Sequence, residues 1–296
     1  MNSQPIVPLV LKAVALAMGV VVVVLADGCN SLLTDKMRSH SPTDVKTVSL
    51  GIKEVIGLTQ EEINSRFNLS GDEGAAYLFL GGMEGIEGGG FIYTNRNSLS
   101  VGIVCSVSSL KKGGRKASEL IDGFKQTPVV HELVKGGITK EYSAALIPEG
   151  GFSEMPKLYG DGVLVSGSAA GLVVNNGVTL RGVDLAVGSG VAAAKTISLC
   201  IEKGDVSRAG LSKYTDFLRE QRILQDLETF KGAARMIADP YLYDVVPKLA
   251  CELGKRMWVV GDGPQEKILS AGMKVVKEHT SLWQLVKWVL RAGRSI

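Results

Sequence analysis

The chain has 296 residues, enough for one large domain or two of ordinary size and too many for a peptide or a disulfide-stapled miniprotein. Hydrophobic residues make up 45% and charged residues 21%, a globular balance, while 36 glycines (about 12% against a usual ~7%) require many tight turns or close backbone approaches. Thirty-three Lys and Arg against 30 Asp and Glu leave a net charge of +3, too small and too dispersed for a nucleic-acid-binding surface.

From the N-terminus, Ile6 to Ala26 is almost wholly apolar, interrupted only by Lys12. Its length suits a membrane span of about 20 residues, and a signal h-region is a related reading. A lipoprotein reading would acylate Cys29, but Asp27 stands two positions earlier, where processing sites carry small neutral residues. The third reading divides the stretch. Val20 to Leu25 is a β-branched run ended by Asp27-Gly28, as in a buried parallel strand leaving its sheet into a tight turn. Residues 1–19 would then be a helix or a start without a native partner.

Ser31 to Asp44 is polar and ends in Ser41-Pro42-Thr43-Asp44, a turn or linker signature. Val45 to Ile56 alternates as a strand, and Gly90–Thr94 with Ser98–Val107 reads as two strands around a turn at Asn95-Arg96-Asn97. These predict an antiparallel sheet layer. Gly81-Gly82 and Gly88-Gly89-Gly90 flank Met83–Glu87, which reads as a flexible loop rather than a phosphate cradle, since no helix N-terminus follows it. Lys116–Phe124 reads as a polar-faced surface helix, stopped or followed by Pro128. Tyr142–Pro148 is a further strand, and Gly160-Asp161-Gly162 turns the chain into Val163–Ser166, a buried strand by composition.

Gly167-Ser168-Ala169-Ala170-Gly171 closes that strand. After Asn175-Asn176-Gly177 the chain runs through Arg181 and Asp184 into an Ala-rich helix reaching Lys195 and Cys200. Strand, small-residue turn and helix N-terminus together offer backbone N–H groups to an anionic or electron-rich ligand; close helix-to-strand packing needs the same small residues. Arg181 and Asp184, three apart, read as a surface ion pair rather than a catalytic one. Tyr93, Phe91 and Tyr142 read as core aromatics before they read as the lining of a quinone or partner face.

Beyond Leu211 the pattern is helical: Leu211–Thr229, a break near Asp239-Pro240, Val245–Leu253, a turn at Gly261–Pro264, then Gln265–Leu290. The last segment sets Trp283, Trp288, Leu282, Leu285 and Val289 beside Lys274, Lys277, Lys287, Arg291 and Arg294. That is the character of a membrane-surface helix, with core packing the favoured alternative. The four cysteines, Cys29, Cys105, Cys200 and Cys251, form no Cys-x-x-Cys pair, and His40, His131 and His279 have no partner at His-Glu-x-x-His spacing. No metal is assigned. The organisation expected is residues 1–44, 45–158 (antiparallel sheet), 159–204 and 205–296 (helical).

The segment Val22–Leu33, VVVLADGCNSLL, resembles the Asp-Gly motif of glutathione-reductase-type flavoproteins of the hydroxylase and dehydrogenase group, and the Gly167 segment resembles their second flavin motif. More closely, GIKEVIGL, GGGFIYTNRNSLSVGIVCSV, FKQTPVV, EYSAALIPEGG, GDGVLVSGSAAG and NNGVTLRGVDLAVGSGVAAAKT resemble the FixC family, related to electron-transfer-flavoprotein quinone oxidoreductases. The resemblance runs from about Val21 to the C-terminus. It implies a mixed α/β (α+β) fold: a partial glutathione-reductase-type FAD-binding domain (1–44 and 159–204), an antiparallel-sheet substrate domain and a C-terminal helical cap. It also implies FAD as cofactor, with Asp27 and Gly28 at the turn near it and Gly167, Ser168 and Ala169 along its ribityl and pyrophosphate side. Asn176, Gly177, Val178 and Thr179 would lie at its pyrimidine edge. The flavin would carry the redox chemistry, so no catalytic side chain is named.

Two departures stand out. The family opens with a strand, a Gly-x-Gly-x-x-Gly turn and a helix for the FAD pyrophosphate, and no such fingerprint opens this chain; Ser168 stands where the family usually has Asp. Three readings of function follow. The first is a FixC-type oxidoreductase passing electrons from an electron-transfer flavoprotein towards a ferredoxin-like iron–sulfur protein, or towards quinone at the membrane surface. The second is a truncated, flavin-free remnant or scaffold. The third is a membrane-anchored binding protein. A cytoplasmic location, with possible membrane association, goes with the first. The architecture requires residues 1–33 to pair beside Val163–Ser166 in one sheet.

Overall fold

The computed structural model describes residues 21–37, 47–83, 85–177, 179–260, 263 and 266–295. Most of the apolar Ile6–Ala26 run and half of the Ser31–Asp44 linker therefore lie outside the described residues. In chain order the described strands are β1 (Val23–Leu25), β2 (Val48–Gly57), β3 (Ala76–Leu80), β4 (Gly88–Thr94) and β5 (Ser98–Ser106). They continue with β6 (Ile138–Pro148), β7 (Tyr159–Gly160), β8 (Val163–Val165), β9 (Val174–Asn175) and β10 (Leu180–Arg181). The chain divides into two compact units. One holds residues 146–234 with the N-terminal part up to residue 48, and the other holds 49–145 with 235–295.

In the first unit β1 pairs with β8 in parallel, Val23 opposite Val163, Val24 opposite Leu164 and Leu25 opposite Val165. This is the pairing the strand reading of Val20–Leu25 requires. β7 adds to the other side of β8, antiparallel. The helix Val183–Lys203 buries Leu185, Ser189, Ala192, Ala193, Thr196 and Cys200, a mostly small-residue face at helical spacing, in a core shared with Leu25, Leu164 and Val165. Small side chains let a helix approach a sheet closely. It ends at Gly204, whose φ of 64° supplies the left-handed cap. Length and composition alone would let this helix cross a membrane.

The run Leu211–Thr229 is not one helix. It is three short ones, Arg208–Leu211, Lys213–Glu220 and Ile223–Thr229, with Arg222 left-handed at φ 62°. The break lets Leu211, Tyr214 and Leu218 on one side of it, and Ile223, Leu224 and Leu227 on the other, all reach the same core.

In the second unit the sheet order is β3-β4-β5-β2-β6. β2 and β5 pair antiparallel from Ser49 opposite Ser106 to Gly57 opposite Ser98, and the turn after β4 falls at residues 95–97 as expected. Leu99, Val101, Ile103 and Cys105, at every second position of β5, are buried on one face. That face shares a core with Ile63 and Phe67 of helix Gln60–Phe67, Leu120, Ile121 and Phe124 of Ala117–Gln126, and Val130 and Leu133 of Pro128–Val134.

Four expectations change here. Helix Ala117–Gln126 is a core helix on one side, not merely a polar-faced surface helix, because Leu120, Ile121 and Phe124 recur at helical spacing. The 83–87 segment is pinned by Met83 and Ile86, both buried. Phe91 stacks on Tyr93 at 4.9 Å, but Tyr93 and Tyr142 are exposed rather than core. The stretch Gln265–Leu290 divides into Ile268–His279 and Leu282–Ala292, because Thr280 is extended and Ser281 caps the second helix through Gln284. Within that last helix the core-packing expectation holds for Trp288, stacked on Tyr241 at 5.4 Å. Leu282, Trp283, Val286, Val289 and Leu290 are exposed.

Among the described residues of the second unit, the Glu54 side chain is a buried charge. The Glu54 carboxylate on β2 accepts from Lys125 Nζ at 3.0 Å and from Thr139 Oγ1 at 3.2 Å. Burial alone would lower the Lys125 pKa, but hydrogen bonds to Asp122 and Glu54 outweigh it and hold the ammonium above its usual value. Glu54→Gln keeps the shape and removes the charge, so unfolding should become easier by about 1–3 kcal/mol. A lowered urea midpoint with unchanged slope is the expected result, and an unchanged midpoint contradicts it.

Candidate functional site

Parallel pairing places the carboxyl ends of β1 and β8 side by side, where ligands sit in open α/β sheets. Ser166 N donates to Leu25 O at 2.9 Å across the last rung. Beyond β1 the chain passes exposed Asp27 to Gly28, whose φ of 84° only glycine adopts without strain. Ser31 N then donates to Gly28 O at 3.2 Å, and the Ser31 hydroxyl caps Thr34 N at 2.9 Å, opening helix Leu32–Met37.

Beyond β8, Gly167 takes φ 65° and begins a tight turn over Gly167–Ala170 that Gly171 closes at φ 70°. Gly171 N donates to Ser168 O at 3.1 Å and Leu172 N to Gly167 O at 3.2 Å. Ala169 and Ala170 are buried, while Ser168 is half-buried. Two segments 140 positions apart in the chain, Asp27-Gly28 and Gly167-Ser168-Ala169, thus share one end of one sheet.

The third expected segment is built differently. Asn176, Gly177 and Thr179 lie in the hairpin between β9 and β10, and Val178 lies outside the described residues. Gly177 N donates to Asn175 Oδ1 at 3.0 Å, Thr179 N to Asn176 Oδ1 at 2.8 Å, and Asn176 N to Thr179 O at 3.2 Å. The Gly177 and Thr179 amides are thus taken by the two asparagine side chains, and the Asn176 amide by the hairpin backbone. The long helix does not open directly after the Gly167 turn either. Left-handed Gly171 redirects the chain into the hairpin first, and the helix begins at Val183 after β10.

Arg181 lies on β10 rather than on the helix, and binds Asp184 at 2.5 Å and Asp226 at 3.1 Å. Its hydrogen bond holds the Asp184 carboxyl below the usual carboxylate range, and Arg181 itself is raised in return. This is the structural ion pair anticipated.

Beneath the Gly167 turn lies a group of hydroxyls that the sequence does not announce. Ser166, Ser189 and Tyr214 are all buried. Ser166 Oγ and Ser189 Oγ are 2.8 Å apart, Gly167 N donates to Ser189 Oγ at 3.0 Å, and Tyr214 Oη donates to Val165 O at 3.0 Å. A serine in an Ala-rich helix and a tyrosine after a lysine carry no local mark of such a role.

No protein-family model matches the chain. The protein named probable electron transfer flavoprotein-quinone oxidoreductase YdiS, from Escherichia coli K12, is 38% identical over 248 residues, 83% of this chain and 58% of YdiS. Protein FixC of Escherichia coli K12 is 40% identical over 261 residues, 86% of this chain and 60% of FixC. The chain is similar to FixC and YdiS over most of its own length. It spans about 60% of the length of these two proteins. Among solved structures, a geranylgeranyl bacteriochlorophyll reductase-like protein from Thermoplasma acidophilum matches with TM-score 0.61 and 18% identity, over 92% of this chain and 62% of that one. The flavin-dependent brominase Bmp2 matches with TM-score 0.50 and 14% identity, over 88% and 63%. Both share the mixed α/β fold.

Burial pushes the Tyr214 phenol up to about 12, against an opposing pull from the Ser166 and Ser189 hydroxyls. The folded state therefore favours the neutral form. The stability this contributes is complete below the unfolded tyrosine value, about 10, and is lost as pH rises through about 12. Between pH 10 and 12 the parent should lose stability more steeply than Tyr214→Phe in matched denaturation curves, and equal slopes contradict this.

Proposed function

We propose that this chain binds FAD at the carboxyl ends of β1 and β8 and takes part in electron transfer from an electron-transfer flavoprotein. The observation that carries the reading is the meeting of the Asp27-Gly28 and Gly167-Ser168-Ala169 turns at one sheet end. The fit of a flavin nucleotide is best on this side. Asp27 offers an exposed carboxylate, Gly28 has open space where a side chain would stand, and Ala169 and Ala170 keep the second turn low. The Ser168 hydroxyl would accept a ribityl hydroxyl where the family usually offers a carboxylate. The amides of Gly177 and Thr179 are committed to Asn175 and Asn176, so affinity rests on the two turns more than on the hairpin. When bound, FAD supplies the electron-carrying chemistry, and the residues named here bind and orient it.

The donor and acceptor follow the names of the relatives, an electron-transfer flavoprotein and a quinone. The ferredoxin-like protein is a second acceptor drawn from the family resemblance, with its iron–sulfur cluster on a separate chain. A second reading, a flavin-free remnant, is favoured by the serine at position 168 and by the hairpin's self-satisfied amides.

Titration of the purified chain with FAD, followed by absorbance and flavin fluorescence quenching, separates the two. One-to-one binding is expected, and no binding at high micromolar FAD selects the remnant. Ser168→Asp adds charge assistance of about 1 kcal/mol, tightening binding by about five-fold. Reduction of the FAD-loaded chain by reduced electron-transfer flavoprotein and its reoxidation by a soluble quinone test the partners; failure of either overturns that partner.

A further inference from the structure

We propose that Ser189 is a positioning residue for the Gly167–Ala170 turn, holding it in the shape that receives the ligand through its hydroxyl rather than through packing. The proposal deepens the flavin reading and rests on it for the identity of the ligand.

A serine hydroxyl has one proton and two lone pairs. Ser189 Oγ donates that proton to Ala186 O at 2.8 Å, within its own helix. Its lone pairs are then left for Gly167 N–H at 3.0 Å and for Ser166 Oγ at 2.8 Å. Ser166 is therefore the donor of the serine pair. Tyr214 gives its own proton to Val165 O at 3.0 Å.

Three successive residues at the end of β8 are in this way fastened to two helices. Val165 is held through its carbonyl by Tyr214 of Lys213–Glu220, and Ser166 and Gly167 are held by Ser189 of Val183–Lys203. Gly167 is where the strand leaves the extended region for φ 65°, so a tether on its amide fixes the direction in which the turn departs. That amide is taken by Ser189, and the Gly167 and Ser168 carbonyls are taken by Leu172 N and Gly171 N. Ser168 is left half-exposed beside the end of β1.

Packing does not require this arrangement. The same helix face presents Ala192 and Ala193 to the same core, and an alanine at 189 would fill nearly the same space. Buried hydroxyls cost free energy unless fully bonded. Two of their bonds go to the backbone on either side of Ser166, at Val165 O and Gly167 N, which indicates control of the backbone.

The test uses the full chain with Ser189→Ala, Ser189→Thr and Ser166→Ala, read by thermal midpoint, FAD affinity, and hydrogen exchange of the 163–175 peptide without ligand. Ser189→Ala should weaken FAD binding about ten-fold and speed exchange in that peptide while exchange elsewhere stays parent-like, the expected result of removing the acceptor shared by Gly167 N–H and the Ser166 hydroxyl. Ser189→Thr, which keeps the oxygen, should recover most of the affinity. Ser166→Ala leaves the Gly167 acceptor in place and should change affinity by less than about three-fold.

A lower thermal midpoint with unchanged affinity and unchanged local exchange in Ser189→Ala would show a merely structural serine and overturn the proposal. If Ser189→Ala does not fold, Ser189→Cys, a poorer acceptor of similar size, takes its place under the same criteria. Should the parent bind no FAD, the flavin reading falls by itself. The exchange comparison still decides for Ser189: faster local exchange supports its hold on the turn, and parent-like exchange refutes it.

Discussion

The parallel rung that joins Leu25 to Val165 is the contact on which the rest of the candidate site depends. Each of its strands has only three residues, and alone neither would persist in water. They are held by the core around them, where Leu25, Leu164 and Val165 are buried with the inner face of helix Val183–Lys203. Because the strands run the same way, their carboxyl ends coincide, and two turns rich in small residues, far apart in sequence, become neighbours. An antiparallel pairing of the same two strands would have put these turns at opposite ends.

The two units solve the problem of buried polarity in different ways. In the first, the polar groups at the end of β8 are neutral hydroxyls, each with a countable donor and acceptor, and they act on the backbone. In the second, the Glu54–Lys125 pair crosses from strand to helix with Thr139 and Asp122 completing its bonds. A charged pair fixes how a helix lies on a sheet. A hydroxyl cluster fixes where a single turn goes, at lower desolvation cost.

Much of this was legible in the residues. The β-branched run before Asp27-Gly28 marked β1, alternation marked β2 and β5, and the Gly-Ser-Ala-Ala-Gly turn marked the end of β8, because period and turn chemistry are local signals. What stayed hidden depends on tertiary partners. Arg222 carries no sequence sign of a left-handed break, and Met83 and Ile86 gave no sign of anchoring a glycine-rich loop. The side chains of Asn175 and Asn176 take the Gly177 and Thr179 amides beside them, which the sequence does not mark. Ser189 and Tyr214 gain their importance from residues more than 20 positions away.

The central claim is that the Asp27-Gly28 and Gly167–Ala169 turns form one site, and hydrogen-exchange mass spectrometry with and without saturating FAD tests it most directly. The account predicts that peptides covering residues 26–33 and 166–172 gain protection together, at the same FAD concentration. Protection of only one of them, or of neither while FAD is bound, would contradict it.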